Sequence, residues 1–480
     1  MPRTPGLTHR IGHRGAVAPW VFVLMFAACG GDSRSPMATE ESVASVTVAP
    51  AANTVLIGGT VRLTATANDA AGNRLTGQQV TWSSSNTDIA LVTAGIVTGV
   101  ADGFSTITAT AEGKSGTASA TVKALVFASV SAGGFHTCGV TTDGDAYCWG
   151  WNGWGQLGNN TASVGPGTTP DPVAGGLTFT SVSAGGFHTC GVTTDGTTYC
   201  WGRNEDGQLG NPAAGHTTPA AVSRGLTFVS VSAGGFHTCG VTTDGTTYCW
   251  GRNEDGQLGN DDVDLLSRAT PDLVAGGLIF ESVDAGLTHS CGLTTDGTAY
   301  CWGGNLNGEL GIGSADAAHH TTPEAVSGGL ALASVSTHFV HNCGVGTDGV
   351  TYCWGGNFGG QLGNGTTIDA TAPVAVSGAL SFALVSAGRL YTCALTTEGT
   401  GYCWGGNGDG KLGNGSLADI SVPGAVSGGL TFGSVSAGSF HTCGLTTDAT
   451  AYCWGANFDG QVGDGSTTNR TTPVLVLGQQ

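Results

Sequence analysis

His136-Thr137-Cys138-Gly139-Val140-Thr141-Thr142-Asp143-Gly144-Asp145-Ala146-Tyr147-Cys148-Trp149-Gly150-Trp151-Asn152 decides how this chain folds. It reads as two short strands joined through Thr142-Asp143-Gly144. The first cysteine returns at Cys190, Cys239, Cys291, Cys343, Cys393 and Cys443, in steps of 52, 49, 52, 52, 50 and 50 residues. A second follows ten positions later in every copy, within Tyr-Cys-Trp-Gly, at Cys148, Cys200, Cys249, Cys301, Cys353, Cys403 and Cys453. An Asn-x-x-Gly loop then starts at Asn152, Asn204, Asn253, Asn305, Asn357, Asn407 and Asn457. Residues 182–211 and 231–260 are identical, as after a recent duplication. Seven β-rich units of about 50 residues over 124–480 predict an all-β, seven-bladed propeller, which leaves no long open sheet edge.

A three-residue hairpin loop wants its Gly left-handed, with a bulge. Counting back from that loop sets Thr141 opposite Asp145, Val140 opposite Ala146, Gly139 opposite Tyr147 and Cys138 opposite Cys148. A non-hydrogen-bonded antiparallel pair has Cα atoms about 4.5 Å apart, inside the disulfide range. The repeat cysteines are therefore expected as seven intra-repeat disulfides in an exported protein, each contributing about 2.5–3 kcal/mol. Tyr147 and Trp149 point away from the cysteine face, so each disulfide is expected to lie toward a neighbouring blade's Trp. Ala449 stands where other repeats carry the turn Gly, at a cost of about 1–2 kcal/mol.

A metal reading competes with the disulfides. His136, His188, His237, His289, His341 and His441 lie two positions before the first cysteine, on the same strand face. With both sulfurs they would make a three-ligand zinc site. Tyr391 breaks the series in repeat six, and a run of equal sites suits no catalyst. Asn407-Gly408-Asp409-Gly410 mimics the middle of an EF-hand loop, but Gly405 and Ser416 stand where acids are required. Asp143, Asp195, Asp244, Asp296, Asp348, Glu398 and Asp448 read as turn formers. No nucleophile with its base, paired carboxylates or phosphate loop stands out, so no metal, cofactor or enzymatic activity is expected.

Ahead of the repeats, Arg3, Arg10 and Arg14 lead into an apolar run over 16–28, the pattern of a secretory signal at 1–28. Its Ala27-Ala28-Cys29 ending resembles the bacterial lipoprotein lipobox, although Phe26 departs from the usual Leu. That resemblance implies lipid attachment at Cys29. Residues 29–43, opening Gly30-Gly31-Asp32-Ser33, read as a flexible tether. Residues 44–123 read as a β-sandwich of about seven strands packed around Trp82 alone. Within it, Val80-Thr81-Trp82-Ser83-Ser84-Ser85-Asn86, Gly95-Ile96-Val97-Thr98-Gly99-Val100 and Thr106-Ile107-Thr108-Ala109-Thr110-Ala111 closely resemble bacterial Ig-like group 2 (BIG2) domains. The resemblance implies a spacer or adhesion module of an envelope protein.

The repeat unit, from Val-x-Ala-Gly-Gly-x-His-x-Cys to Asn-x-x-Gly-Gln-Leu-Gly, resembles the repeat of the RCC1 (regulator of chromosome condensation) family. The resemblance implies a propeller of seven four-stranded blades. The paired cysteines are additional and resemble secreted bacterial members. The family's best-known activity is guanine-nucleotide exchange on a small GTPase, with chromatin binding. An exported, acidic propeller would meet neither, and a fold alone does not carry function. Some bacterial relatives inhibit secreted enzymes, which is a further alternative.

Composition narrows the partner. Gly is 84 of 480 residues, only three are Lys, and charged residues make up 10%, which excludes solvated helical bundles. The net charge of −19 argues against nucleic acid and anionic membrane surfaces. Residues 124–480 hold 7 basic and 27 acidic residues. The expectation is a monomeric, envelope-anchored lipoprotein, extracytoplasmic, touching the membrane only through its lipid and binding a protein or glycan. Connections such as 211–216 and 260–266 differ most between repeats, so binding is expected through acidic inter-blade loops. Repeat one lacks a leading Thr-Pro-x-x-Val strand, so the final Thr472-Pro473-Val474-Leu475-Val476 is expected to complete blade one.

Overall fold

The computed structural model describes residues 42–213 and 215–479. The expected signal 1–28 and Cys29, with nearly all of the tether, lie outside the described residues.

Seven four-stranded antiparallel sheets form the propeller, and their first strands line one central channel. Blade one runs outward from the channel as Phe127–Ala132, His136–Thr141, Ala146–Asn152 and Ser163–Pro172. Alternating strand direction puts the connections between strands one and two, and between three and four, at one end of every blade. The two–three hairpins and the links between blades lie at the other end.

The hairpin register follows the turn chemistry. Cys138 faces Cys148, Gly139 faces Tyr147 and Val140 faces Ala146. Thr141 N–H donates to Asp145 O at 2.9 Å, and Gly144 takes φ +85°. Ala449 is forced to φ +66° in the same place. All seven cysteine pairs are disulfides, with Cα atoms 4.0 to 4.1 Å apart.

The disulfides are fully buried between blades, and the Trp of the following blade closes each layer: Cys138–Cys148 packs with Trp201 and Phe179, Cys190–Cys200 with Trp250 and Phe228. The loop carbonyl of Gln156 accepts both Trp201 Nε1–H at 2.8 Å and Thr189 Oγ1–H at 2.9 Å, so both of its lone pairs are used. Gly158 lies against the same indole, where a Cβ would come within 2.7 Å of Nε1.

Ring closure differs from the expectation. The C-terminal strand Arg470–Leu475 pairs with Ala451–Gly455 of its own repeat, setting Cys453 against Val474. It therefore completes blade seven, not blade one. The Thr-Pro strand belongs to the repeat it ends, so repeat one lacks nothing. The last seam is built like the others. Gln461 O accepts Trp149 Nε1–H at 3.0 Å and Thr137 Oγ1–H at 2.8 Å, and Cys443–Cys453 packs with Trp149.

The N-terminal domain has nine short strands where about seven were expected, arranged as two-, three- and four-stranded sheets. Its core is not centred on Trp82, which is only partly buried. Ala90, Val97, Ile107, Ala109 and Ala120 are the fully enclosed apolar residues, with Trp82 against their edge. The domain meets the propeller at the hairpin end of blades one and seven. There Leu56 packs against Leu125 and Val476, Ile57 bridges to Gly478, and Lys123 Nζ pairs with Asp145 at 2.7 Å. Its longest strand, Lys114–Lys123, runs from that junction to the opposite pole, where Glu112 accepts the Val43 N–H at 3.0 Å. At about 3.3 Å per residue, the chain enters this domain roughly 30 Å from the propeller.

Candidate functional site

Most residues singled out by pattern hold the blades together. His136 Nε2 lies 2.7 Å from Thr189 Oγ1. That hydroxyl already donates its proton to Gln156 O, so Nε2 must be the donor and Nδ1 the bare acceptor. The same link joins His188 to Thr238, His341 to Thr392 and His441 to Thr137, while His237 uses Ser290 and His289 uses Asn342. Tyr391 serves in blade six by donating to His441 O at 2.7 Å. Burial drives His136, His188, His237, His341 and His441 down to about 3, so all are neutral imidazoles. The sulfurs beside them are spent in disulfides.

Five of the hairpin acids, Asp195, Asp244, Asp296, Asp348 and Asp448, bond back within their turns, whereas Asp143 faces Lys123 and Glu398 meets the neighbouring Thr397 hydroxyl. Asp195 accepts Thr193 Oγ1–H at 2.6 Å and Thr197 N–H at 3.1 Å, which holds its carboxyl below the usual range. The EF-hand-like Asn407 is used by its own loop: Oδ1 takes Leu412 N–H at 3.0 Å, and Nδ2 donates to Ser416 O and Ala418 O.

What the pattern did not single out is the channel, a cavity of about 390 Å³ reached by all seven blades. One turn of its wall is a ring of Ser131, Ser183, Ser232, Asp284, Ser336, Ser386 and Ser436. Each Ser Oγ accepts the N–H of the next blade's Ala: Ala184 N to Ser131 Oγ is 3.0 Å, Ala387 N to Ser336 Oγ 3.1 Å and Ala437 N to Ser386 Oγ 2.9 Å. Asp284 plays this part in blade four, receiving Ser232 Oγ–H at 2.6 Å and Thr337 N–H at 2.8 Å, and burial raises its pKa.

The end of the channel remote from the N-terminal domain carries an aromatic collar. Phe236, Phe187, Phe135 and Phe440 follow one another with ring centres 5.9, 5.5 and 5.1 Å apart. The Arg389 guanidinium continues the arc between Phe440 and Phe339, 4.9 and 4.8 Å from their ring centres. Arg203 stands over Phe236 at 5.0 Å. Around this collar the Asn-x-x-Gly loops hold up Trp154, Leu306, Phe358 and Phe458, which are 41%, 71%, 55% and 49% exposed.

The repeats diverge here. Where blades one to three carry Gly134, Gly186 and Gly235, blades four to seven carry Leu287, Phe339, Arg389 and Ser439, and His338 replaces a second glycine. Reading the repeats for what they share hides these departures; comparing them position by position would have exposed them. The variable segments around 211–213 and 260–266 lie between strands three and four of their own blades, so they are not inter-blade loops. They form the outer rim of the collar end. Asp262 there is tied to Arg268 Nη2 at 2.6 Å.

A closed ring of disulfide-stapled blades with a framed channel and one open apolar face defines a propeller binding scaffold. The RCC1-like domain family model matches residues 99–432, an RCC1 repeat matches 434–461, and a bacterial Ig-like domain (group 2) matches 42–122; the chain belongs to the RCC1-like domain family. It is 32% identical to the ultraviolet-B receptor UVR8 of Arabidopsis thaliana over 246 residues, 50% of this chain and 44% of that one. It is 29% identical to the E3 ubiquitin-protein ligase HERC2 of Homo sapiens over 252 residues, 5% of that protein. The chain thus spans less than half the length of these curated relatives. Human WBSCR16 superposes with a TM-score of 0.64 at 23% identity, over 69% of this chain and 93% of that one. Prp20p of Saccharomyces cerevisiae gives 0.60 at 23%, over 67% and 83%. These likenesses show the fold. The seven disulfides and the bacterial Ig-like domain mark an extracellular protein.

Proposed function

We propose that this protein is a non-enzymatic display module, lipid-anchored through Cys29 to the bacterial envelope, which presents the collar face of its propeller to a protein or glycan partner. The observation that carries this reading is the placement of the N-terminal domain. It covers the hairpin end of blades one and seven and takes in the chain at its far pole, so the collar end faces away from the anchor. A stalk of this kind lifts the apolar face clear of the surface from which the chain emerges. Clustered exposed apolar residues with a polar rim suit recognition.

Mature protein immobilised on beads and exposed to native envelope or culture extract is expected to retain a partner. The double variant Leu306→Asp, Phe358→Asp is expected to lose it by tenfold or more, while Asp145→Ala at the opposite end retains it. Equal capture by all three proteins contradicts the assignment of the face. Cys29→Ser is expected to release the protein from the membrane fraction; an unmodified, soluble wild type removes the anchor from the reading.

A further inference from the structure

The collar end holds more hydrogen-bond donors than the protein can satisfy. Four of the other propeller arginines are matched to carboxylates: Arg203 to Glu205 and Asp206, Arg252 to Glu254, Arg268 to Asp262 and Asp272, Arg470 to Asp464. Arg389 has none among the described residues, although the propeller carries 27 acids. Its Nε is enclosed with no acceptor among the described residues. Two phenyl rings lie against the guanidinium, which leaves its terminal Nη edge without a protein partner among the described residues.

Below it, Ser131, Ser183, Ser386 and Ser436 each accept a backbone N–H, and none of their hydroxyl protons has an acceptor among the described residues. The wall's one carboxylate, Asp284, is already occupied by Ser232 and two backbone N–H groups. The channel therefore offers one guanidinium edge and four hydroxyl donors, in a volume within the range of small-ligand sites. An oxyanion is the chemistry that answers such a set, since it brings acceptors only and takes a guanidinium fork in two parallel bonds.

We propose that the channel mouth is an oxyanion-recognition site, in which Arg389 takes the carboxylate or sulfate group of a small ligand, of the class of an acidic sugar, above the serine ring. The site rests on the reading of the collar end as the binding face and names the chemistry recognised there.

Titration calorimetry of the mature protein at low ionic strength, with glucuronate, glucose and inorganic sulfate as probes, tests it. Glucuronate is expected to bind at least tenfold more tightly than glucose. Arg389→Gln is expected to lower that affinity at least tenfold, and Arg224→Gln, an exposed arginine outside the channel, to leave it unchanged. Sulfate binding that is lost with Arg389→Gln while glucuronate stays unbound keeps the site and assigns it to a sulfate-bearing ligand. Should Arg389→Gln fail to fold, Ser386→Ala with Ser436→Ala removes two donors and leaves the guanidinium; a loss of threefold or more is expected. Failure of both anions to bind the wild type, equal binding of glucose, or affinity indifferent to these variants overturns the proposal. Such a failure alongside partner capture that depends on Leu306 and Phe358 would leave the display reading standing.

Discussion

A single methyl group separates blade seven from its siblings at the hairpin. Ala449 sits at φ +66°, where the other six blades carry Gly at φ +79° to +85°. Left-handed backbone costs an L-residue about 1–2 kcal/mol, partly offset by the extra freedom Gly gives the unfolded chain. Ala449→Gly is therefore expected to stabilise the protein by about 0.5–1 kcal/mol, read as a higher urea midpoint with an unchanged slope. The seam indoles give a second test at this scale. Trp149 spans the first-to-last seam with the same bond to a loop carbonyl that Trp201 makes within the ring. Trp149→Phe and Trp201→Phe should then cost alike, about 1–2 kcal/mol each for a buried bond lost. A much smaller cost at Trp149 would mean that the ring closes by other means.

Within the blade, the disulfide and the histidine make opposite demands on solution conditions. Every paired cysteine is fully enclosed under a neighbour's Trp, so a reductant reaches the sulfurs only when blades part. The folded protein is expected to resist dithiothreitol over hours and to yield fourteen thiols once denatured, with unreduced peptides showing only intra-blade links. The histidines set the acid limit. Their folded values near 3 lie below the unfolded value of 6.5. Below pH 6.5 the unfolded chain binds protons that the folded one refuses, so stability is complete above 6.5 and falls as pH drops toward 3. Each such histidine contributes a slope of about 1.4 kcal/mol per pH unit. Urea midpoints are expected to fall steeply between pH 6.5 and 4, and His188→Gln to lessen the slope by one histidine's share. A flat profile over that window would contradict neutral, buried imidazoles.

At the scale of the whole molecule, the repeat made the architecture legible and the asymmetry invisible. Seven recurrences of Cys-x9-Cys with a turn between them specify blade number, hairpin register and disulfide partners, because each depends on contacts within about ten residues. Swapping residues 261–266 for the equivalent segment of repeat two bears on the rim: weakened partner capture assigns recognition to these segments as well as to the collar, and unchanged capture confines it to the collar. The motifs of the Ig-like domain are legible in the sequence, whereas its core is not, since a large residue such as Trp82 is conspicuous there while small enclosed ones such as Ala90 and Ala120 are not.

Local pattern by itself determined the propeller, its staples and the order of domains, because strand alternation and turn chemistry act between near neighbours. Only the tertiary structure decided how the ring closes, which end the Ig-like domain covers, and that Leu287, His338, Phe339 and Arg389 share one channel mouth. The seam and the channel mouth depend on groups 50 or more residues apart meeting around a closed ring, as Trp149 meets Gln461 and Arg389 meets Phe339 and Phe440. There the deciding quantity is which donors and acceptors are left over once every blade has satisfied its neighbour.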